Sequence, residues 1–598
     1  MACRIFFVLF LLICGKGVLA QTKYTISGII KSAETGETII GASVRAGEDN
    51  DGTISNEYGF FSITLAKGVF ELVFSANGYL SKTEKLQVTK NITLNISLKE
   101  EVKSLEGVTV TSTKAGRSVD GAQMGVERLS MAEVNRIPML FGEKDILKAI
   151  QLLPGIKPAG EGSSGFYVRG GSADQNLVLL DEALVYSPSH LLGFFSTFNP
   201  DVVKDIVVYK GGMPAQYGGR LSSVLDIKMN EGNNKDYSVS GGVGLISAKV
   251  NVEGPIQKER SSFLVSARRT YADMFVGLSG DSMIRGNRLY FYDLNAKMNY
   301  QIGKKDKIYL SAYLGRDFLK LKKQFALDWG NVTTTLRWNH IFSNKLFSNT
   351  SLSYSDFNYN INIDNSLNDL AIRSRINDLK IKQEFQWYPG QGHTIRFGVD
   401  GTHHKVKPGE VTSSGNTSYN ELFLQNRYSW DMALYAADSW KMGDRLTVGY
   451  GLRASSFNVY GPGDFYHVDA DGTVTDTLTY QSGKLVKSYF NLEPRLSAGV
   501  MLTPSSSIKA AYARNVQNMH LISNTTASGP TDKWIPSTNI IKPETADIYS
   551  IGWYKNLLDN TYELTLESYY KDMQNQNRLS SRCRCIQQRR HRVAVVVW

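Results

Sequence analysis

The sequence predicts a mainly β protein of three unlike parts: a small N-terminal β-sandwich, an α+β insert, and a long antiparallel strand array that reads as a transmembrane β-barrel. Three observations carry this. From residue 237 the chain runs in alternating apolar and polar stretches, joined by alternately short and long connections. Between residues 138 and 230 it is glycine-rich and mixes short helical and strand patterns. Aromatics make up 11% of the chain, with 31 Tyr, 53 Gly and only 15 Pro, a balance that suits large antiparallel sheets.

Its 598 residues exceed one ordinary domain. Residues 1–20 read as a secretory leader. Arg4 supplies the positive start, IFFVLFLLIC is an apolar core too short to span a bilayer, and Val18-Leu19-Ala20 fits a small-residue cleavage site. Lipidation at Cys14 is disfavoured by the bulky Ile13. No later run reaches the roughly 18 apolar residues of a membrane helix, so a membrane-spanning form has to be a closed barrel. The formal charge is +11. Arg4 and Lys16 lie in the leader and five arginines lie in residues 580–598, so the remainder is only weakly basic and implies no nucleic-acid partner. Cys3, Cys14, Cys583 and Cys585 lie outside the body, which therefore has no disulfide framework and no thiol chemistry.

The first module, residues 21–99, shows about six short alternating strands separated by Gly, Asn and Asp turns, a small sandwich. Its segments Gly41-Ala42-Ser43-Val44, GTISNEYGFF at 52–61 and Gly78-Tyr79 resemble the carboxypeptidase-regulatory-like domain. That resemblance implies a non-catalytic module, and the sequence has no HExxH or HxxE zinc motif.

Residues 124–230 form the insert. Residues 143–153 have helical spacing, with Ile146, Ile150 and Leu153 on one side and Pro154-Gly155 as the stop. Short strands follow, with tight glycine turns. The run GEGSSG at 160–165 spells GxGxxG, but a strand follows it where a dinucleotide site needs a helix, so it reads as an apical loop. The motifs LPG, YVRGG, LLD and YKGGMPAQYGGRLSSVLDI, in that order, resemble the plug domain of TonB-dependent outer-membrane receptors. Glu182 departs from the family pattern, which often has glycine there. Just before the insert, in the linker 100–123, lie Leu105, Glu106, Gly107, Val108, Thr109, Val110 and Thr111. This β-branched run reads either as a connector strand or as a TonB box, an extended segment that adds to a sheet edge of a TonB-type energy-transducing protein.

Residues 231–579 carry the barrel pattern. Ile308, Leu310, Ala312 and Leu314 share one face, and Tyr309, Ser311 and Tyr313 the other. Tight turns near 303–306, 343–345, 389–392, 443–444 and 503–505 alternate with mostly long loops at 271–289, 402–422, 461–488 and 518–545, the pattern of periplasmic turns and external loops. EGPI, SARRTY and LEPR also resemble these receptors. About fifteen strands can be counted, against about 22 for a plugged transporter. Residues 580–598 lose the period-two pattern and read as an aberrant basic tail. A truncation or frame change near Asn577 is the expectation, with a native basic tail as the alternative.

No catalytic constellation emerges. His403 and His404 are adjacent, so on a strand they face opposite sides, and the other histidines lack companions at ligand spacing. Asp181 and Glu182 diverge as strand neighbours. No cofactor is implied. The resemblance implies instead that plug arginines pair with barrel glutamates: Arg169, in its Arg169-Gly170-Gly171 turn, and Arg220 are the candidate arginines, with Glu493 as candidate partner and Asp181 in the plug motif. It further implies a receptor that imports an external substrate across the outer membrane, whether an iron chelate, vitamin, glycan or peptide. The partners implied are outer-membrane lipid, a TonB-type protein and, for some relatives, a lipoprotein lid. An adhesin or sensor barrel, or a non-functional fragment, are the alternatives.

Overall fold

The computed structural model describes residues 22–101 apart from 48–50, residue 119, and residues 121–597 apart from 138–142, 161–164, 323, 366–367, 391, 416–421, 470–472, 523–528, 559–560 and 580–584. The run Leu105–Thr111 lies outside the described residues.

The N-terminal module is a sandwich of two four-stranded sheets. Lys23–Ser32 pairs antiparallel with Phe60–Ala66 and parallel with Ile92–Thr93 and Ile96–Leu98. The facing sheet runs Asp51–Ile54, Ser43–Ala46, Gly68–Ser75, Lys82–Val88. Alternate residues of both sheets, among them Ile26, Ile30, Val44, Phe61, Leu72 and Phe74, close into one dry core. Asp51–Ile54 is a strand that the sequence pattern does not announce.

The plug is built on a five-stranded mixed sheet in the order Ala183–Leu184, Asn176–Leu180, Ser223–Met229, Val203–Tyr209, Val126–Leu129. Its central strands are buried on both faces, as expected of a sheet enclosed on all sides. A six-residue helix, Ile146–Gln151, packs Ile146 and Ile150 on the sheet. It is capped by Asp145, whose carboxylate accepts from the Lys148 amide at 3.0 Å.

The remainder is a 17-stranded antiparallel sheet from Ser238–Val243 to Cys585–Val597. Apart from its two-residue strand Leu422–Phe423 and its last strand, it has the fifteen strands that the alternation indicates. Among the described residues the first and last strands do not pair, so the sheet is open. It wraps the plug. Tyr309, Ser311, Tyr313 and Asp317 point to the lumen and are buried, while Leu310, Leu336, Leu352, Ile381 and Leu434 are exposed on the outer face, where lipid takes the place of water.

Two expectations are corrected, at 402–422 and beyond 580, while the long connections at 461–488 and 518–545 are present and structured. The region 402–422 is not all loop: strand His393–Gly415 continues through most of it. The long loops at 461–488 and 518–545 contain hairpins, Gly463–Val468 with Val474–Tyr480 and Met519–Ile522 with Lys533–Pro536. Beyond residue 580 the chain adds Cys585–Val597 antiparallel to Tyr562–Leu579. Pairing there needs only main-chain groups, so losing the period-two pattern does not forbid a strand.

Candidate functional site

The candidate site is the surface along which the plug meets the wall and the sandwich. Its first element is Arg169. This residue follows strand Phe166–Val168 and adopts a left-handed φ of +45°, a conformation that costs a non-glycine residue about 1–2 kcal/mol. The turn, continued by Gly170 at φ +71°, throws the side chain outward. Its guanidinium meets Glu567 of the wall at 2.5 Å and lies 5.3 Å over the Tyr569 ring. Tyr554 also donates to Glu567, at 2.5 Å. Backbone crowds the guanidinium on the plug side: a Cβ on Gly211 would sit 2.5 Å from Nη1, and one on Gly125 would sit 2.6 Å from Nη2. Gly171 is required for a different reason, since a Cβ there would meet Ser222 Oγ at 2.2 Å.

Glu493 is not the partner of either plug arginine. It sits on the lumen face of Leu485–Thr503 beside two wall arginines, Arg495 at 3.0 Å and Arg453 at 3.8 Å. Those arginines hold the plug by its carbonyls: Arg495 donates to Met213 and Pro214, and Arg453 to Ala215 at 3.5 Å. Arg268 does the same to Ser196 at 2.7 Å. The polarity is thus the reverse of the expected pairing at this place, with Glu493 orienting wall cations that grip plug backbone. Arg220 has no carboxylate within ion-pair distance among the described residues. It donates to Gly219 O at 3.1 Å and lies 5.0 Å from the Trp534 ring.

Asp181 and Glu182 are not neighbours on a strand. They are the two-residue turn joining Asn176–Leu180 to Ala183–Leu184, with φ of +46° and +75°, the geometry that twists a hairpin correctly. Glycine would adopt it without strain, yet here the side chain is used. Asp181 pairs with Lys297 at 2.8 Å and accepts from the Met229 amide. Glu182 accepts from Asn349 at 3.0 Å and Ser351 at 2.6 Å on the wall, and from Tyr58 of the sandwich at 3.0 Å. Burial works against its charge, but Lys382, Lys228 and Arg337 outweigh it and hold the carboxyl well below the usual range.

The sandwich docks on the short-turn rim. Asn56 donates to Gln386 at 2.8 Å, and Ser62 to the Asn344 carbonyl at 2.7 Å. Tyr58 and Phe60 stack on Phe347 with centroids 5.3 and 5.5 Å apart. Glu57 pairs with Arg396 at 3.0 Å. Burial would raise its pKa, but Arg396 and Lys228 bring it down to about 2. Glu231 ties all three parts together, meeting Thr38 of the sandwich at 2.5 Å, Lys204 of the plug at 3.0 Å and Lys307 of the wall at 2.6 Å. His190, on a plug loop, sits between Asp293 at 2.7 Å and Asp317 at 2.6 Å.

No group of three or more metal-ligating side chains occurs among the described residues. His404 turns inward to Asp378 at 2.7 Å while His403 lies against Trp430, on opposite faces as adjacency requires.

Three family models match the chain: CarboxypepD_reg-like domain over residues 26–110, TonB-dependent Receptor Plug Domain over 137–223, and TonB dependent receptor-like, beta-barrel over 270–586. The last spans more than half of the sequence. The chain belongs to the TonB-dependent receptors. A comparison with curated proteins finds no match. Among solved structures the receptor is similar in fold to the Serratia marcescens hemophore receptor HasR (12% identity, 77% of this chain and 74% of that one, TM-score 0.55), the copper transporter OprC (11%, 80% and 77%, 0.58) and the Neisseria meningitidis iron transporter FrpB (15%, 80% and 77%, 0.56). It is an outer-membrane protein with plug and sandwich toward the periplasm, and its short-turn rim is where the sandwich docks.

Glu567, Tyr58 and His190 were not picked out from sequence. For Glu567 a signal existed: it shares lumen-facing parity with Tyr569, Lys571 and Met573 on its strand, and a charged residue at such a position in mid-strand needs a partner.

Proposed function

We propose that this receptor takes up an external ligand through the lumen, driven by a TonB-type partner that engages Leu105–Thr111 as an added strand. The observation that carries the reading is the chemistry of the plug–wall seam. It is joined at Arg169–Glu567, Asp181–Lys297 and the arginine-to-carbonyl contacts by directional polar bonds. Buried pairs of this kind add little net stability, because desolvation offsets attraction. They fix one arrangement and exchange readily for water once the plug is displaced. An adhesin or sensor barrel would need no such filling of its lumen. The run 105–111 lies between sandwich and plug in the chain, so a pull there loads both. The ligand, be it an iron chelate, vitamin, glycan or peptide, and any lipoprotein lid are not specified by this seam. The test is capture of the purified full-length receptor by the periplasmic domain of a TonB-type protein. Deleting residues 105–111 is expected to abolish capture, and equal capture by the deletion overturns the reading.

A further inference from the structure

The outer face of strands Arg288–Ile302 and Asp306–Leu321 shows where the membrane ends. Tyr300, Tyr290 and Arg288 share the outward parity of the first strand, and Phe318 and Lys320 that of the second. Leu294, Met298 and Leu310, between them, are exposed toward lipid, while Phe291, Asp293 and Asn295 are buried in the lumen. Tyr300 and Tyr290 are ten residues apart. At about 3.4 Å per residue and a tilt of about 40°, that spans roughly 26 Å, the height of an apolar band between its two aromatic girdles. Tyr290 stacks on Phe318 at 4.9 Å, so this pair belongs to the girdle on the long-loop side.

One step beyond that girdle the strands carry cations. Arg288 stands directly opposite Lys320. Both are exposed, and neither meets a carboxylate among the described residues. Like charges facing each other across a ladder destabilise it, so the fold gains nothing from the pair. Two neighbours add to the positive charge: Arg285 donates to Gly280 O and Lys322 to Ser282 O, each at 3.1 Å. Two others are already engaged. Arg269, 5.1 Å over the Tyr290 ring, has Asp273 at 3.8 Å, and Arg316 is held by Asp328 at 2.8 Å. The short helix that carries Asp273, Ala272–Gly277, and the residue after it leave Met274, Phe275 and Leu278 exposed. Apolar side chains thus lie beside an uncompensated cationic row at the level where lipid meets water.

We propose that this outward patch binds the phosphate groups of an outer-leaflet lipid, with Arg288 and Lys320 taking the phosphate oxygens and Met274, Phe275 and Leu278 resting in the interface beside it. A guanidinium fork grips two phosphate oxygens at once, and a lysine adds a point charge. A phosphate lodged between the two cations turns their repulsion into attraction to a shared anion. Their aliphatic stems lie along the girdle while the charged ends reach the head-group layer, where clusters of Lys and Arg attract anionic lipid. The site faces away from the lumen, so it does not depend on what the receptor carries.

Native mass spectrometry of the full-length receptor in a nonionic detergent tests it. The probes are bisphosphorylated lipid A, its dephosphorylated form and inorganic phosphate. The bisphosphorylated lipid is expected to bind at least tenfold more tightly than the dephosphorylated one, and an excess of inorganic phosphate should leave it bound. Arg288→Ser with Lys320→Ser should weaken that binding tenfold or more, and Arg288→Lys alone should keep most of it. Lys304→Ser with Lys305→Ser removes the same charge from an exposed turn on the opposite rim and should bind like the parent. Equal binding of the two lipids, displacement by inorganic phosphate, a double variant at 288 and 320 that binds like the parent, or equal weakening by the pair at 304 and 305 overturns the proposal. The parent's preference between the two lipids tests the site without any variant. The readout involves neither the lumen nor an energising partner, so its failure leaves the capture experiment on residues 105–111 standing.

Discussion

The Tyr58 hydroxyl of the N-terminal sandwich donates to Glu182, at the tip of the plug hairpin, over 3.0 Å. Two domains that the chain separates by a linker are thereby joined at a residue whose φ of +75° would suit glycine better. The strained turn has a use: it delivers a carboxylate to a spot where sandwich, plug and wall converge. A hydrogen bond to a buried charge is worth about 1.5–3 kcal/mol. Tyr58→Phe should therefore loosen the docked sandwich without unfolding it, because the Phe347 stack survives. Ser62, 5% exposed and bonded to the Asn344 carbonyl, reports the docking. With Cys583 and Cys585 both replaced by serine, a Ser62→Cys receptor should react with a thiol reagent roughly tenfold faster when Tyr58→Phe is added. Unchanged labelling would show that this bond does not hold the domain.

Arg169 and Glu567 form the second test. Removing one member of a buried pair leaves the other charge desolvated and costs about 3–5 kcal/mol, whereas replacing both with apolar side chains is far milder. Glu567→Leu should lower the thermal unfolding midpoint of the receptor, and adding Arg169→Met should restore most of it. If the double variant is as unstable as the single one, the pair is not the unit that matters.

The glycines around that guanidinium make a third prediction. Gly211→Ala places a methyl group 2.5 Å from Arg169 Nη1. The arginine cannot retreat while Glu567 holds it, so overpacking of about 1–3 kcal/mol is expected. In a Glu567→Leu background the arginine can move and the penalty should shrink. Denaturation midpoints of the two single variants and the double variant measure the coupling, and strict additivity would refute it.

What was legible in the sequence follows from the range of each interaction. The parity of Tyr309, Ser311 and Tyr313 against Leu310 and Leu314 is local, and it placed the lumen and lipid faces on the correct sides. The helix at Ile146–Gln151 and its glycine stop are local as well. The partner of Arg169 is not: Glu567 lies 398 residues away, and no local pattern distinguishes it from Glu493, which shares its lumen-facing parity and is just as buried. Docking of the sandwich was invisible for the same reason, since Glu57, Tyr58 and Phe60 read as an ordinary turn and strand start. The Asp181-Glu182 turn was legible in principle. Two residues between apolar runs are a hairpin signal, but reading them as strand continuation hid it.

His190 supplies the last prediction. Its ring nitrogens lie 2.7 Å from Asp293 and 2.6 Å from Asp317, its face stacks on Phe291 at 4.1 Å, and Tyr313 and, through Asp293, Arg268 complete its surroundings. Burial opposes protonation, but the two carboxylates outweigh it and raise the pKa from 6.5 to about 9. A group raised on folding contributes stability that is complete below its unfolded pKa, falls as pH rises from 6.5, and is gone above about 9. The size is on the order of 3 kcal/mol. The plug–wall assembly should therefore lose thermal stability between pH 6.5 and pH 9, the interval over which the unfolded chain's imidazole has given up its proton while the folded one still holds it between two carboxylates. His190→Gln keeps a donor toward one aspartate and cannot titrate. Its unfolding midpoint should start lower at pH 6 and stay flat across the same interval. A parent receptor with no slope there, or a variant that keeps the slope, would place the titrating group elsewhere.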